Sequence, residues 1–176
     1  MARNTEIKAR IDSVEKLLPA VAALADQGPV EIDQEDVFFA CSCGRLKLRF
    51  LAADEGELIF YQRAEQPGPK ESFYHIARTC TPAALHKILA QVLAETGRVR
   101  KHRTLFLRGA TRIHLDRVEG LGDFLELEVV LTEDQPAEQG AAIAAELMEL
   151  LGIEAGRLID GAYLDLQQNP NTQENH

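Results

Sequence analysis

Arg112, His114 and Asp116 alternate with apolar Ile113 and Leu115, and further on Glu126 and Glu128 alternate with Leu125, Leu127 and Val129. Successive side chains of a strand point to opposite faces. Each set therefore shares one face of its own strand. If the two strands pair across the glycine-bearing loop at Gly120 and Gly122, three carboxylates and two bases meet on one patch. Carboxylates crowded in this way repel unless a cation sits among them, and hard divalent ions prefer oxygen ligands. The same alternation also suits an ordinary sheet with one wet face.

Other strand patterns carry cations in the same register. Arg45, Lys47 and Arg49 share one face, with Leu46, Leu48 and Phe50 on the other. Lys101 and Arg103 share a face, with Arg98, Arg100 and His102 on the outward side. Glu6, Lys8 and Arg10 recur near the start. Like charges at i, i+2 and i+4 repel unless an anion lies opposite. The net charge is −9, which speaks against a general nucleic-acid surface. Of the 19 Lys and Arg, 18 lie at or before Arg117, many of them inside apolar strand patterns. An acidic protein that places its bases within strands is built for an internal anion site. Lys8, Arg10, Lys47, Arg49, Arg63, Lys101, Arg103 and Arg112 are the candidates to neutralise a polyanion. Glu6, Asp116, Glu126 and Glu128 are the candidates to hold a divalent metal. Glu6, Lys8 and Asp116 are placed at the chemistry. Polyanion, metal and bases together describe phosphoryl or nucleotidyl transfer, in which catalysis is mostly positioning and charge stabilisation. No Gly-rich phosphate loop, dinucleotide fingerprint, nucleophile elbow or zinc-protease motif is present.

The elements that must position these residues follow from periodicity. Strands are expected at Arg3–Ile11, Val30–Val37 (or an extended loop there), Val37–Cys43, Arg45–Leu51, Glu57–Arg63 and Glu71–Arg78. Further strands are expected around Arg98–Arg108 and on either side of the Gly120–Gly122 loop, to Leu131. Helices are expected from Asp12 to Ala25, from Thr81-Pro82 to a stop at Gly97, and from Pro136 to Gly152. A loop spans Ala64–Lys70, a short element covers Leu158–Leu166, and Gln167–His176 reads as a polar, disordered tail. The expectation is one domain, residues 1–166, followed by that tail. The strands come as hairpin neighbours, which favours an α+β fold with an antiparallel sheet, closed on itself, and helices outside. The charged strand faces then line a tunnel.

Asn4–Arg10 (N-T-E-I-K-A-R), Gly44–Arg49 (G-R-L-K-L-R) and His114–Glu128 (H-L-D-R-V-E-G-L-G-D-F-L-E-L-E) resemble the CYTH superfamily, the triphosphate tunnel metalloenzymes, and within it the class IV adenylate cyclase branch. The resemblance runs from about Arg3 to Asp165. It implies a closed eight-stranded antiparallel β-barrel around a tunnel that binds triphosphate with Mg²⁺ or Mn²⁺. It implies metal binding by Glu6, Glu126 and Glu128 with Asp116 near them, and phosphate binding by Lys8, Lys47, Arg49, Arg63, Lys101, Arg103 and Arg112. The implied activity is conversion of ATP to cyclic AMP and pyrophosphate. Hydrolysis of tripolyphosphate, nucleoside or thiamine triphosphate, and a non-catalytic nucleotide- or polyphosphate-binding module, remain open. The family's opening motif is E-x-E-x-K, and here it reads Asn4-x-Glu6-x-Lys8. A neutral oxygen replaces a carboxylate, which weakens a cation site.

No apolar run approaches a membrane span, and no signal-peptide core is seen at the start. Cys41, Cys43 and Cys80 lack a recognisable zinc spacing and read as reduced thiols. The expected setting is cytoplasmic. The expected partner is ATP or another triphosphate or polyphosphate, without nucleic acid or membrane and with a homodimer left open.

Overall fold

The computed structural model describes residues 2–63 and 69–169; the side chains of Ala2 and Arg63 are outside that description. Eight strands run Ala2–Arg10 (β1), Gln27–Phe39 (β2), Arg45–Ala52 (β3), Glu55–Arg63 (β4), Lys70–Thr79 (β5), Glu95–Arg108 (β6), Thr111–Val118 (β7) and Gly122–Leu131 (β8). Four helices are Val14–Leu24 (α1), Pro82–Val92 (α2), Ala137–Leu150 (α3) and Tyr163–Gln168 (α4). The strands form a closed barrel in the order β1-β5-β4-β3-β2-β6-β7-β8, every pairing antiparallel. This is the α+β closed barrel expected from the alternation. No described helix is long and apolar enough to cross a membrane.

Alternation decides which side of each strand is dry. The outward faces of β1, β7 and β8 present Ile7, Ile113, Leu115, Leu125 and Leu127 to α1 and α3, where Val14, Val21, Ala144 and Leu147 complete a core. Each such side chain contributes about 1.5–3 kcal/mol on burial. Val37, Phe39 and Leu48 pack under Leu85 and Leu89 of α2. Phe38, Val99, Val118 and Phe124 meet Tyr163, Leu164 and Leu166 of α4, which caps one end of the barrel.

Three expectations change. Val30–Val37 and Val37–Cys43 are not two strands: β2 is one strand that reaches only to Phe39, and Cys41 and Cys43 lie exposed in the following turn. Gly97 does not end a helix. The helix stops at Val92, and Gly97 sits within β6, where a Cβ would lie 2.4 Å from Leu164 Cδ1. Its lack of a side chain lets α4 approach the barrel. Gln167 and Gln168 complete α4 rather than opening a tail, and residues 170–176 lie outside the described residues, as does most of the Ala64–Lys70 loop.

Candidate functional site: a charged chamber in the barrel

The inward faces line a cavity of about 770 Å³. β1 contributes Asn4, Glu6 and Lys8; β2 contributes Gln34, Asp36 and Phe38; β3 contributes Lys47 and Arg49. β6 adds Lys101 and Arg103, β7 adds Arg112 and His114, and β8 adds Glu126 and Glu128. One end opens to solvent, where the side chains of Arg78 and Asp33 are 90% and 89% exposed. At the other end Ala162 and Tyr163 form a floor.

The cations are held by carboxylates. Lys47 Nζ donates to Asp36 Oδ2 at 2.7 Å and Arg49 Nε to Asp36 Oδ1 at 2.8 Å. Arg103 donates through Nε and Nη2 to both Asp116 oxygens at 2.6 Å, and through Nη2 to Glu126 Oε2 at 2.6 Å. Lys101 Nζ and the Tyr163 hydroxyl donate to Asp116 Oδ2 at 3.1 and 2.8 Å. Lys8 Nζ lies 4.0 Å from the Tyr163 ring centroid and 3.9 Å from Glu126 Oε1. Arg112 Nη1 donates to Glu128 Oε2 at 3.0 Å. Burial opposes the charge on Asp36 and Asp116. Arg49 and Lys47 in the first case, and Arg103 and Lys101 in the second, outweigh it and keep both carboxyls ionised, well below the usual range. Burial, reinforced by nearby Arg103, brings Lys101 down to about 8.

A second group sits on the β1–β8–β7 wall. Ligand atoms of His114, Glu126 and Glu128 all lie within 4.8 Å of one another. Glu6 is opposite Glu128 in the β1–β8 ladder, and Lys8 is opposite Glu126. Burial raises the cost of ionising Glu126, but Lys8 and Arg103 hold it well below its ordinary value. For Glu128 burial and the repulsion from Glu126 are outweighed by His114 and Arg103. Burial, then Arg103, lowers the His114 pKa below its ordinary value. Its Nδ1 is buried without a hydrogen-bond partner, 3.9 Å from a carboxylate oxygen of each glutamate. An unpartnered imidazole nitrogen beside two ionised carboxylates is a donor set that fits a divalent cation.

Most of the residues picked from alternation converge here: Glu6, Lys8, Lys47, Arg49, Lys101, Arg103, Arg112, Glu126 and Glu128 all line the chamber. Two do not. Arg10, one step beyond Lys8, is at the barrel end, where Nη1 donates to the Leu121 carbonyl at 2.7 Å and the guanidinium covers the Phe124 ring. Asp116 shares a strand face with His114, yet it is fully buried behind Arg103, Lys101 and Tyr163. Its oxygens accept from two cations and a hydroxyl, and it is not among the clustered ligand atoms of His114, Glu126 and Glu128. Arg63 ends β4, and its side chain lies outside the described residues. Two residues were not placed in the site from sequence. Tyr163 suits either core packing or closure of the tunnel end from sequence, because nothing in the local pattern shows that α4 folds under the barrel. Asp36 sat in an acidic run, but pairing β2 and β3 about the Gly44 turn puts it opposite Arg49, and that register was available.

A family model for the CYTH domain matches residues 2–163. The chain belongs to the CYTH domain family. No curated protein matches its sequence. Solved structures similar to this CYTH domain include PH1012 protein from Pyrococcus horikoshii OT3, with a TM-score of 0.83 at 23% identity over 93% of this chain and 98% of that one. A candidate adenylate cyclase from Vibrio parahaemolyticus gives 0.76 at 16% identity, covering 94% and 97%. HpAC1 from Hippeastrum, a candidate adenylyl cyclase described as having a dominant triphosphatase activity, gives 0.71 at 15% identity, covering 100% of each chain. At these identities the likeness is one of fold. The CYTH fold accounts for the tunnel, and the inward residues described above give this tunnel its charge.

Proposed function

We propose that this CYTH domain is a divalent-metal-dependent enzyme that takes the triphosphate tail of a nucleotide into the barrel, most in keeping with an adenylate cyclase-like reaction. The observation that carries the reading is one wall on which paired cations face the cluster of Glu126, Glu128 and His114, with Glu6 opposite Glu128 in the β1–β8 ladder. Lys47, Arg49, Lys101 and Arg103 keep unused N–H donors for phosphate oxygens and sit in a low-dielectric setting, where such contacts are strong. Glu6, Glu126, Glu128 and His114 would hold Mg²⁺ or Mn²⁺, which would neutralise phosphate charge and polarise the scissile P–O bond. The lining also includes the apolar side chains of Ile32, Leu51, Ile76 and Leu105 among charged neighbours. That surface suits a nucleoside, and a bare polyphosphate makes no use of it.

In the cyclase reaction the ribose 3′-hydroxyl attacks the α-phosphorus, the bond to pyrophosphate breaks, and the hydroxyl proton leaves to solvent. The second reading is a triphosphatase, in which water attacks the terminal phosphorus and orthophosphate leaves. The same wall serves both reactions, and the activity described for the similarly folded Hippeastrum protein favours keeping it. The test is product chromatography after incubation with ATP, and separately with tripolyphosphate, each with Mg²⁺ or Mn²⁺. Cyclic AMP with pyrophosphate supports the first reading and orthophosphate the second. Binding without any product, with Glu126→Gln changing only the binding, refutes both and leaves a binding tunnel.

A further inference from the structure

Every chamber cation whose side chain is described has a carboxylate within 4 Å, so the wall is charged in detail but balanced in sum. Among the described residues, the six cations Lys8, Lys47, Arg49, Lys101, Arg103 and Arg112 stand with six carboxylates, those of Glu6, Asp36, Glu57, Asp116, Glu126 and Glu128, Glu57 lying 3.9 Å from Arg49. Glu126 and Glu128 belong to the candidate metal cluster, Glu6 lies opposite Glu128 on β1, and Asp116 is walled in behind Arg103. Asp36 is different. It lies on β2, four strands from β1 in either direction around the barrel, and takes no part in that cluster. It is buried and faces the chamber, and both its oxygens are engaged by Lys47 and Arg49. Lys47 is further confined between the Phe38 and Tyr61 rings, each 5.6 Å from Nζ. Asp36 therefore occupies the place on these two cations that a phosphate oxygen would otherwise take.

A polyanion entering a wall of near-zero net charge gains little from long-range attraction and meets Asp36 directly. The same polyanion accompanied by a divalent cation carries less charge and brings a partner for the glutamate cluster. We propose that Asp36 is a positioning and selectivity residue: it holds Lys47 and Arg49 in place, and its charge makes the chamber accept a triphosphate together with a divalent cation and reject the metal-free anion. The inference rests on the proposed function, since it takes a triphosphate as the ligand.

The experiment is calorimetric titration of the full chain with tripolyphosphate, in EDTA and in Mg²⁺, for wild type and Asp36→Asn. Two unit charges a few ångströms apart near a protein surface interact strongly enough to change affinity by about tenfold or more. The expected result is that Asp36→Asn binds metal-free tripolyphosphate about tenfold or more tighter than wild type. The gain on adding Mg²⁺ should shrink by the same factor, with affinity for the metal complex unchanged. Asp36→Glu, which keeps the charge, should show no such gain. Should Asp36→Asn fail to fold, Asp36→Ser removes the charge while leaving room for water beside Lys47 and carries the same test. Wild type that binds in Mg²⁺, with neutral variants that gain nothing in EDTA, overturns this inference alone. Wild type that binds no tripolyphosphate in either condition overturns it together with the proposed function.

Discussion

Replacing Asp116 by Asn separates a bracing role from a metal-binding one. The carboxylate is fully buried and accepts from Arg103 twice, from Lys101 and from Tyr163. Asn keeps the shape but removes the charge and turns an NH₂ group toward these donors. Breaking a buried ion pair by removing one partner costs roughly 3–5 kcal/mol, because the other charge is left uncompensated. Arg103 keeps its 2.6 Å bond to Glu126, which puts the expected loss at the lower end, about 3 kcal/mol. For a domain of this size each kcal/mol moves Tm by roughly 2–4 °C, so the drop should be about 6–12 °C. A loss of that size is a large share of the roughly 5–15 kcal/mol that holds a domain together. Calorimetric unfolding measures the drop, and titration with Mn²⁺ on the folded variant measures the metal. Mn²⁺ affinity should stay within about threefold of wild type. A Tm change below about 2 °C, or a selective loss of Mn²⁺ affinity at unchanged Tm, would refute the bracing role and return Asp116 to the metal site.

Glu128→Gln should do the reverse, lowering Mn²⁺ affinity at least tenfold in the same titration while moving Tm little, since the one hydrogen-bonded ion pair of Glu128 among the described residues is with the half-exposed Arg112. The ammonium of Lys101 should bind phosphate below its value of about 8 and release its proton above it. Tripolyphosphate affinity should then fall by up to tenfold per pH unit above about 8. The stability of the ligand-free protein should move oppositely over that range. The folded state gives up the Lys101 proton near 8 and the unfolded chain only near the ordinary 10.5, so the unfolded state holds more protons between them and stability rises with pH. Gly97→Ala, whose new Cβ would meet Leu164 Cδ1 at 2.4 Å, should cost about 1–3 kcal/mol in denaturant unfolding by pushing α4 off the barrel end.

Alternation carried most of this site. A residue's face in a strand follows from position alone, so Lys47 with Arg49, Lys101 with Arg103 and Glu126 with Glu128 were legible as inward pairs once the sheet was taken as closed. What alternation does not carry is depth. Arg10, Lys8 and Glu6 share a face, but one reaches past the barrel end and two stay in the chamber. Asp116 and His114 share a face too, and Tyr163, brought from a helix 47 residues away, covers the first and leaves the second open. Strand limits failed where glycine carried a second meaning: Gly97 resembles a helix stop, yet it is a thin place in β6 against which α4 packs. Gly28-Pro29 resembles a break, yet β2 runs through it with a bulge.

The strand order has a consequence for when the site can exist. β1 fits between β5 and β8, so the barrel's closing seam joins residues near the start of the chain to residues more than a hundred positions later. Glu6 comes from one side of that seam, and Glu126 and Glu128 from the other. Contacts so distant in sequence are slow to form, because a long loop must close first. A chain that has folded β2 to β8 but not docked β1 already brings His114, Glu126 and Glu128 together, yet it lacks Glu6, Lys8 and an enclosed chamber. Closure of the chamber around that cluster thus waits for the last stave to go in. A circular permutant that joins β8 directly to β1 should make the seam local and speed closure of the chamber without changing its composition.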